Sequence, residues 1–289
     1  MKLLVAIVGP TAAGKSALAL RLASRLPGAA IVAADSRQVY RGLDVGTAKP
    51  TAQEQARLPH RLIDVVEPDQ AFSLADYQRL AYAAIDDAER PFLVGGSGLY
   101  LQAVIDGFVL PAAPPDAGLR AAKLSREQLL ARLRQLDPAA AQSIDANNRY
   151  RLLRAVERAG QPLGAQPRYQ TLELGLTAPR QELYRRSDER VEAMLAAGWL
   201  DEVRGLLARY PPDLPALTGL GYGELGRHLR GELAYDQAVA LVKQRTRQFI
   251  KRQQTWFKRD PRIHWFDITQ PGWMAQATEL AGSVWRQPD

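Results

Sequence analysis

The 289 residues are 46% hydrophobic and 24% charged, an ordinary globular composition, and no apolar run approaches the roughly 18 residues that a membrane span needs. The absence of cysteine excludes disulfides and cysteine-ligated zinc and fits a cytoplasmic protein. The net charge of +7 is uneven: residues 1–110 balance, so the whole excess lies in residues 111–289, and a basic half suggests a polyanionic partner.

The apolar run Leu3–Val8 opens straight into a glycine-rich loop, so it reads as a buried strand rather than a leader. That loop, Gly9-Pro10-Thr11-Ala12-Ala13-Gly14-Lys15-Ser16, fits the phosphate-loop pattern G-x-x-x-x-G-K-[ST]. Backbone N–H groups and the start of the next helix would form an anion nest there. Lys15 would neutralise a terminal phosphate, and Ser16 could reach Mg²⁺. "KSALALRLASRLPG" has a helical period and closes on Pro-Gly. "AAIVAADS" is a second buried strand, ending at Asp35 and Ser36. "SLADYQRLAYAAIDDAER" is helical, with Ser73 as N-cap and Asp76 three residues on. "PFLVGGSG" is a third strand, ending at Gly95-Gly96-Ser97. Alternating strands and helices predict an α/β fold with a parallel sheet, a phosphate-loop core like that of small kinases. Ligands of such sheets bind at the carboxyl ends of the strands, so Thr11, Asp35 and Gly95–Ser97 should line one cleft.

"LPAAPPDAG", residues 110–118, breaks this order. Two helices follow, "REQLLARLRQL" and "RYRLLRAVERAG". In the second, Leu152, Leu153 and Val156 form an apolar face, while Arg151, Arg154 and Arg158 share another. "QPLGAQPRYQ" breaks the chain again, and "QTLELGL" predicts a strand rejoining the sheet. The simplest layout is a core of residues 1–111 and 168–289 with a helical insertion over 112–167. The C-terminal part reads as "SDERVEAMLAAGWLDEVRGLLARY", "TGLGYGEL" and a long helix, "AYDQAVALVKQRTRQFIKRQQTWFKRD". That helix gathers Lys243, Arg245, Arg247, Lys251, Arg252, Lys258 and Arg259, with Phe249, Trp256 and Phe257 interleaved. His60, His228 and His264 are scattered and suggest no metal site.

The phosphate loop alone does not name its ligand. A small kinase is the starting assumption, and Asp35 would suit its phosphate acceptor or simply cap a turn. No later apolar strand ends in Asp as the second Mg²⁺ site of an ATPase would. A basic RNA-binding protein retaining a phosphate loop is a third reading.

Four segments in order resemble one family. They are "GPTAAGKS", "DSRQVYRGLDVGTAKP", "GGSGLYLQAVIDG" and "RTRQFIKRQQTWFKRD", and they span nearly the whole chain. They are similar to the tRNA dimethylallyltransferases, also called tRNA isopentenyltransferases. The resemblance implies that the loop holds the diphosphate of dimethylallyl diphosphate, with Mg²⁺ near Ser16. It implies transfer of the five-carbon group to N6 of the adenosine just 3′ of the anticodon, position 37, in tRNAs reading codons that start with U. Asp35 matches the family's catalytic aspartate, and Ser36, Arg37 and Gln38 lie in the same tRNA-facing motif. Thr11, Lys15 and one of Arg186 and Arg190 would act on the diphosphate. Ser97 would contact tRNA near the reacting base, Tyr150, Arg151, Leu152, Leu153 and Arg154 would contact it from the insertion, and Arg245, Arg247, Lys251 and Arg252 from the basic helix. The family implies a monomer acting in the cytoplasm on the anticodon arm. The chain departs from the pattern in a shorter stretch after Leu119 and in Gly223, where a basic residue is common.

Overall fold

The computed structural model describes residues 1–110, 116–158 and 164–285. The two sequence breaks, at 110–118 and 161–170, lie partly outside these residues, as does the end of "RYRLLRAVERAG". In chain order the elements are β1 (Lys2–Val8), α1 (Lys15–Ala23), β2 (Ala29–Ala34), α2 (Ala52–Arg57), β3 (His60–Arg61), α3 (Leu74–Asp87), β4 (Arg90–Gly95), α4 (Gly98–Ile105), α5 (Ala117–Ala121), α6 (Arg126–Leu136), α7 (Pro138–Ser143), α8 (Arg149–Arg158), β5 (Tyr169–Thr177), α9 (Arg180–Ala196), α10 (Trp199–Leu207), α11 (Tyr222–Leu229), α12 (Tyr235–Phe257), β6 (His264–Asp267) and α13 (Trp273–Val284). They divide into two units, Met1–Asp106 with Pro167–Asp289, and Gly107–Gln166.

The first unit is built on a sheet that, among the described residues, has six strands in the order β3-β2-β4-β1-β5-β6, all parallel. β1 is central, and its side chains alternate between two cores as the period of two demands. Val5 and Ile7 pack with Leu18 and Leu22 of α1 and Ala277 and Ala281 of α13. Leu4, Ala6 and Val8 pack with Tyr77, Ala81 and Ile85 of α3 and Leu101 and Val104 of α4. Helices thus cover both faces, which is why the strands read as continuous apolar runs. α3 starts where Ser73 accepts from the Asp76 N–H while the Asp76 carboxylate accepts from the Ser73 N–H, a reciprocal cap. The stretch from Ser187 to Tyr210 is two helices rather than one, broken at Ala197–Gly198. β6, which extends the sheet, and α13, which packs on the face that α1 also covers, were marked by no sequence signal.

A third core packs Val39, Tyr40 and Leu43, just after β2, against Trp199, Val203, Leu206, Tyr222 and Val242. Here the chain from Asp44 to Gly46 is held by one carboxylate. Glu202 of α10 accepts from the N–H of Asp44 at 2.8 Å, Val45 at 2.6 Å and Gly46 at 3.1 Å, and from the Tyr222 hydroxyl at 2.6 Å.

The second unit has its own small core of Leu119, Leu129, Leu133, Leu152, Leu153, Ala155 and Val156. Leu152 and Leu153 are therefore interior. The apolar face of α8 packs inward, and the expectation that these two side chains meet tRNA is corrected to a packing role. Arg154 pairs with Glu157, which also takes Arg120 at 2.9 Å. Tyr150, 66% exposed, and Arg151 remain on the surface.

Glu202→Ala should cost stability, because three backbone N–H groups and a buried hydroxyl would lose one charged acceptor together. On the order of 3 kcal/mol is expected, or a fall in melting temperature of roughly 5–10 °C for a chain of this size. Differential scanning calorimetry checks this, and an unchanged melting temperature would show that the 44–46 segment is held by other contacts.

Candidate active site

The phosphate loop joins β1 to α1. Gly9, at φ +137°, approaches β5 so closely that an added Cβ would lie 2.4 Å from the Leu176 carbonyl oxygen. Gly14, at φ +88°, turns the chain into α1. Among the described residues, the backbone N–H groups of Gly14, Lys15 and Ser16 make no hydrogen bond. They converge at a helix N-terminus, which favours an anion. The exposed Ser16 hydroxyl stands at the same end. Lys15 folds back, its Nζ donating to the Pro10 carbonyl at 2.8 Å. Burial, with the charge of Arg190 next in effect, pushes its pKa down from 10.5 to about 7, against an upward pull from Asp35. Arg190 keeps contact with solvent on the rim of a concave surface, yet desolvation lowers its pKa while Asp35 raises it. Lys15, Arg190 and Asp35 thus share one electrostatic neighbourhood.

Asp35 lies at the carboxyl end of β2, two strands from β1. Its Oδ1 accepts from the Arg37 N–H at 2.8 Å and the Gln38 N–H at 3.4 Å, while Oδ2 has no partner among the described residues. The turn reading and the catalytic reading therefore fit different oxygens of one carboxylate. The Ser36 N–H donates to Ser97 Oγ at 3.1 Å, and the Ser97 N–H donates to the Ala34 carbonyl at 3.2 Å, which joins the ends of β2 and β4. Behind them Tyr77 and Tyr100 stack at 3.9 Å. The buried Tyr77 hydroxyl has no partner among the described residues, and burial, then the charges of Tyr100 and Asp35, raise its pKa.

The residues expected to meet tRNA divide into tied and free. The Arg37 guanidinium donates to the Pro215 and Ala216 carbonyls. The Gln38 amide donates to the Thr47 carbonyl at 3.1 Å and the Ala48 carbonyl at 3.3 Å. Arg245 pairs with Glu224, itself buried, and Arg247 pairs through two bonds with Asp188. Both arginines, expected to meet tRNA, are half-exposed and already paired with carboxylates. Lys251 is exposed without a partner among the described residues, and Arg252 is exposed with its guanidinium 5.7 Å from the Phe249 ring. Of the paired arginines on α9, Arg190 is the one whose charge reaches the loop. The charge of Arg186 is felt at Glu182, and it is not among the charges that shift Lys15. Phe257 is buried in the core with residues of α3 and α4, and the partly buried Trp256 packs against that core.

The sequence profile of the IPP transferase family matches residues 38–260, well over half of the chain, and that of the isopentenyl transferases matches residues 2–64. The chain belongs to the IPP transferase family. The tRNA dimethylallyltransferase of Symbiobacterium thermophilum is 47% identical to this IPP transferase-family chain, covering 96% of it and 94% of the relative. That of Roseiflexus sp. is 48% identical over 98% of each. The crystal structure of the full-length tRNA isopentenylpyrophosphate transferase from Bacillus halodurans superposes with a TM-score of 0.76 at 36% identity, covering 98% of this chain and 97% of that one. A eukaryotic dimethylallyltransferase captured acting on tRNA shares the fold, with a TM-score of 0.85 at 24% identity over 100% of this chain and 81% of that one.

Two site residues escaped sequence reasoning. Lys49, near the end of the "DSRQVYRGLDVGTAKP" segment, has a buried side chain and bridges Asp44 and Asp64, each at 2.6 Å. Gln253, inside the basic run of α12, touches the phosphate loop itself. Among the described residues no group of three or more His, Cys, Asp or Glu side chains could hold a metal. No helix is long and apolar enough to cross a membrane among those residues.

Lys15 gives a pH signature. Below about pH 7 it is charged in both states and its burial cost is fully present. Between about 7 and 10.5 the unfolded chain holds the extra proton, so stability rises with pH, by up to about 1.4 kcal/mol per unit. In urea unfolding without phosphate, Lys15→Met should be more stable than wild type at pH 6, and the difference should shrink steadily towards pH 10. A difference independent of pH would mean that Lys15 titrates as an ordinary lysine.

Proposed function

We propose that this chain transfers the dimethylallyl group of dimethylallyl diphosphate to N6 of adenosine 37 in tRNAs reading codons that start with U, releasing diphosphate. The observation that carries the reading is the pairing of an anion nest with one carboxylate. Lys15 and Arg190 bear on the loop, and Asp35 offers a free Oδ2 in the same electrostatic neighbourhood.

In this reaction the allylic C–O bond breaks and a C–N bond forms. Negative charge builds on the leaving diphosphate, and fixed positive groups aimed at it lower the barrier. The N–H groups of Gly14, Lys15 and Ser16, the Thr11 hydroxyl, Lys15 and Arg190 fill that role. Gly9, Pro10, Ala12 and Ala13 shape the backbone that carries them. The donor chemistry fits Mg²⁺, with Ser16 supplying an exposed hydroxyl beside the loop and the diphosphate supplying oxygens. Bound there, the ion would add positive charge against the leaving group. The acceptor N6 is a weak nucleophile because its lone pair is delocalised into the ring. Asp35 Oδ2 would accept a hydrogen bond from N6–H and then the proton. Oδ1, held by Arg37 and Gln38 N–H groups, fixes the carboxylate plane.

The anticodon loop is single-stranded, so turning one base into the cleft is inexpensive. Ser36 and Ser97 would hold that base from the ends of β2 and β4. Lys251 and Arg252 on α12, and Tyr150 and Arg151 on the insertion, would meet RNA. Such an enzyme acts as a cytoplasmic monomer.

Unmodified tRNA and radiolabelled dimethylallyl diphosphate, incubated without ATP, should give labelled tRNA. Asp35→Ala should lower turnover by about 10²–10⁴-fold while tRNA still binds. ATP-dependent phosphate transfer instead, or near-normal turnover in the variant, would overturn the assignment.

The charge pattern on α12 yields a separate expectation. Each phosphate neutralised contributes roughly 0.7–0.9 to the slope of log affinity against log salt. Lys251→Ala and Arg252→Ala should each flatten that slope by about one such step for every substrate tRNA. Arg245→Ala should change it less and should lower stability, because it leaves Glu224 buried without its partner. Salt titrations of tRNA affinity decide this, and equal effects from all three would remove the distinction.

A further inference from the structure

Gln253 lies on α12, far in sequence from both loops of the site, and is only 6% exposed. Its Oε1 accepts from the Thr11 N–H at 2.9 Å, and its Nε2 donates to the Gly96 carbonyl at 2.9 Å. One planar carboxamide therefore spans the phosphate loop after β1 and the glycine turn after β4. Only one orientation of the amide serves, since the flipped form would set NH₂ against N–H and oxygen against carbonyl. Gly96 leaves the room: a Cβ there would sit 2.4 Å from Gln253 Nε2, with its next neighbours at 3.6 Å. The turn continues into Ser97, whose Oγ accepts from the Ser36 N–H beside Asp35. A hydrogen-bonded path thus runs from the loop, through Gln253 and the glycine turn, to the residue next to the carboxylate.

We propose that Gln253 is a positioning residue that fixes the distance between the diphosphate half and the acceptor half of the site. The proposal rests on the function given above. The reaction needs donor carbon and acceptor nitrogen in line, and small misplacements of reacting groups are costly in rate. The β1–β4 ladder pairs Ile7 with Val94 and stops there, and the carboxamide carries that spacing beyond the strands to the two loops. The carboxamide also consumes the Thr11 N–H, so it selects which loop N–H groups face the anion.

The geometry dictates an unusual coupling between Gln253 and Gly96. Gly96→Ala displaces the amide, and Gln253→Ala removes it. In the doubly substituted chain the Gly96→Ala methyl no longer meets the amide. Each single change should lower kcat at least tenfold at saturating tRNA and dimethylallyl diphosphate, and the double variant should be no worse than either single one. Gln253→Glu can still accept from Thr11 but sets an oxygen against the Gly96 carbonyl and adds negative charge beside the anion nest, so it should fall at or below Gln253→Ala. Melting temperatures are measured alongside, with kinetics run well below them. Multiplicative losses in the double variant would overturn the proposal, as would singles within twofold of wild type, or a stability loss without a kinetic one. Should Gly96→Ala fail to fold, Gln253→Met serves with inorganic diphosphate as the probe. Calorimetry should then show at least tenfold weaker binding than wild type, and equal affinity would overturn the idea. That arm needs no turnover. A wild-type chain that binds inorganic diphosphate but labels no tRNA would refute the prenyl-transfer reading while Gln253 is still judged.

Discussion

Two cations and the start of a helix converge on the loop after β1, with a single carboxylate to balance them. Burial, and after it the charge of Arg190, pushes the Lys15 pKa down, and burial pushes that of Arg190 down. A fold tolerates such an arrangement at a ligand site, where an incoming anion turns repulsion into attraction. Asp35 alone cannot neutralise the site, and its orientation is set by backbone N–H groups rather than by an ion pair. The carboxylate therefore stays available while the phosphate loop waits for its counter-charge. Electrostatic imbalance on one side and a free carboxylate oxygen on the other are the two requirements of transfer from a diphosphate to a weak nitrogen nucleophile.

The long "DSRQVYRGLDVGTAKP" segment owes much of its specificity to tying itself in place. Gln38 bonds Thr47 and Ala48, Lys49 bonds Asp44, Asp64 and the Tyr40 carbonyl, and Glu202 gathers the N–H groups of residues 44–46. A loop of this length loses much conformational entropy when ordered, and these bonds offset that loss. Arg37 works in the same way, anchored on the chain at residues 215–216. Residues that look like substrate contacts in a linear motif are here partly the scaffold that keeps Asp35 and Ser36 still.

Local signals were legible in the sequence, and long-range ones were not. The phosphate loop, the apolar strands and the Ser73 cap each declare themselves within a few residues, because their physics acts over one turn or one strand. The gathering of Thr11, Asp35 and Ser97 followed from strand order, since parallel strands place their carboxyl ends on one side. Gln253 could not be found that way. Its partners are set by how α12 crosses the site, and a glutamine among arginines reads as one more polar surface residue. The pairing of Arg245 with Glu224 and of Arg247 with Asp188 was hidden for the same reason. For Leu152 and Leu153 the helical period had already marked an inward face, and that local reading prevailed over the motif they belong to.

α12 unites these levels because one helix does different work on different faces. Thr246, Ile250, Gln253, Gln254 and Phe257 are buried, while Lys251, Arg252, Lys258 and Arg259 are exposed. The free cations and the amide that holds the loop are thus neighbours in sequence on opposite sides of one turn. Helices are stiff over a few turns, so an RNA held by the outer face would be placed at a fixed offset from Thr11 without any conformational change. The excess charge of the C-terminal half is smaller in effect than its count, since Arg245 and Arg247 are already committed to carboxylates on α11 and α9. Those pairs hold α12 against the helices that carry Glu224 and Asp188. The exposed cations and the buried carboxamide that bonds the phosphate loop are thus separate subsets of one basic helix, and each can change without removing the other.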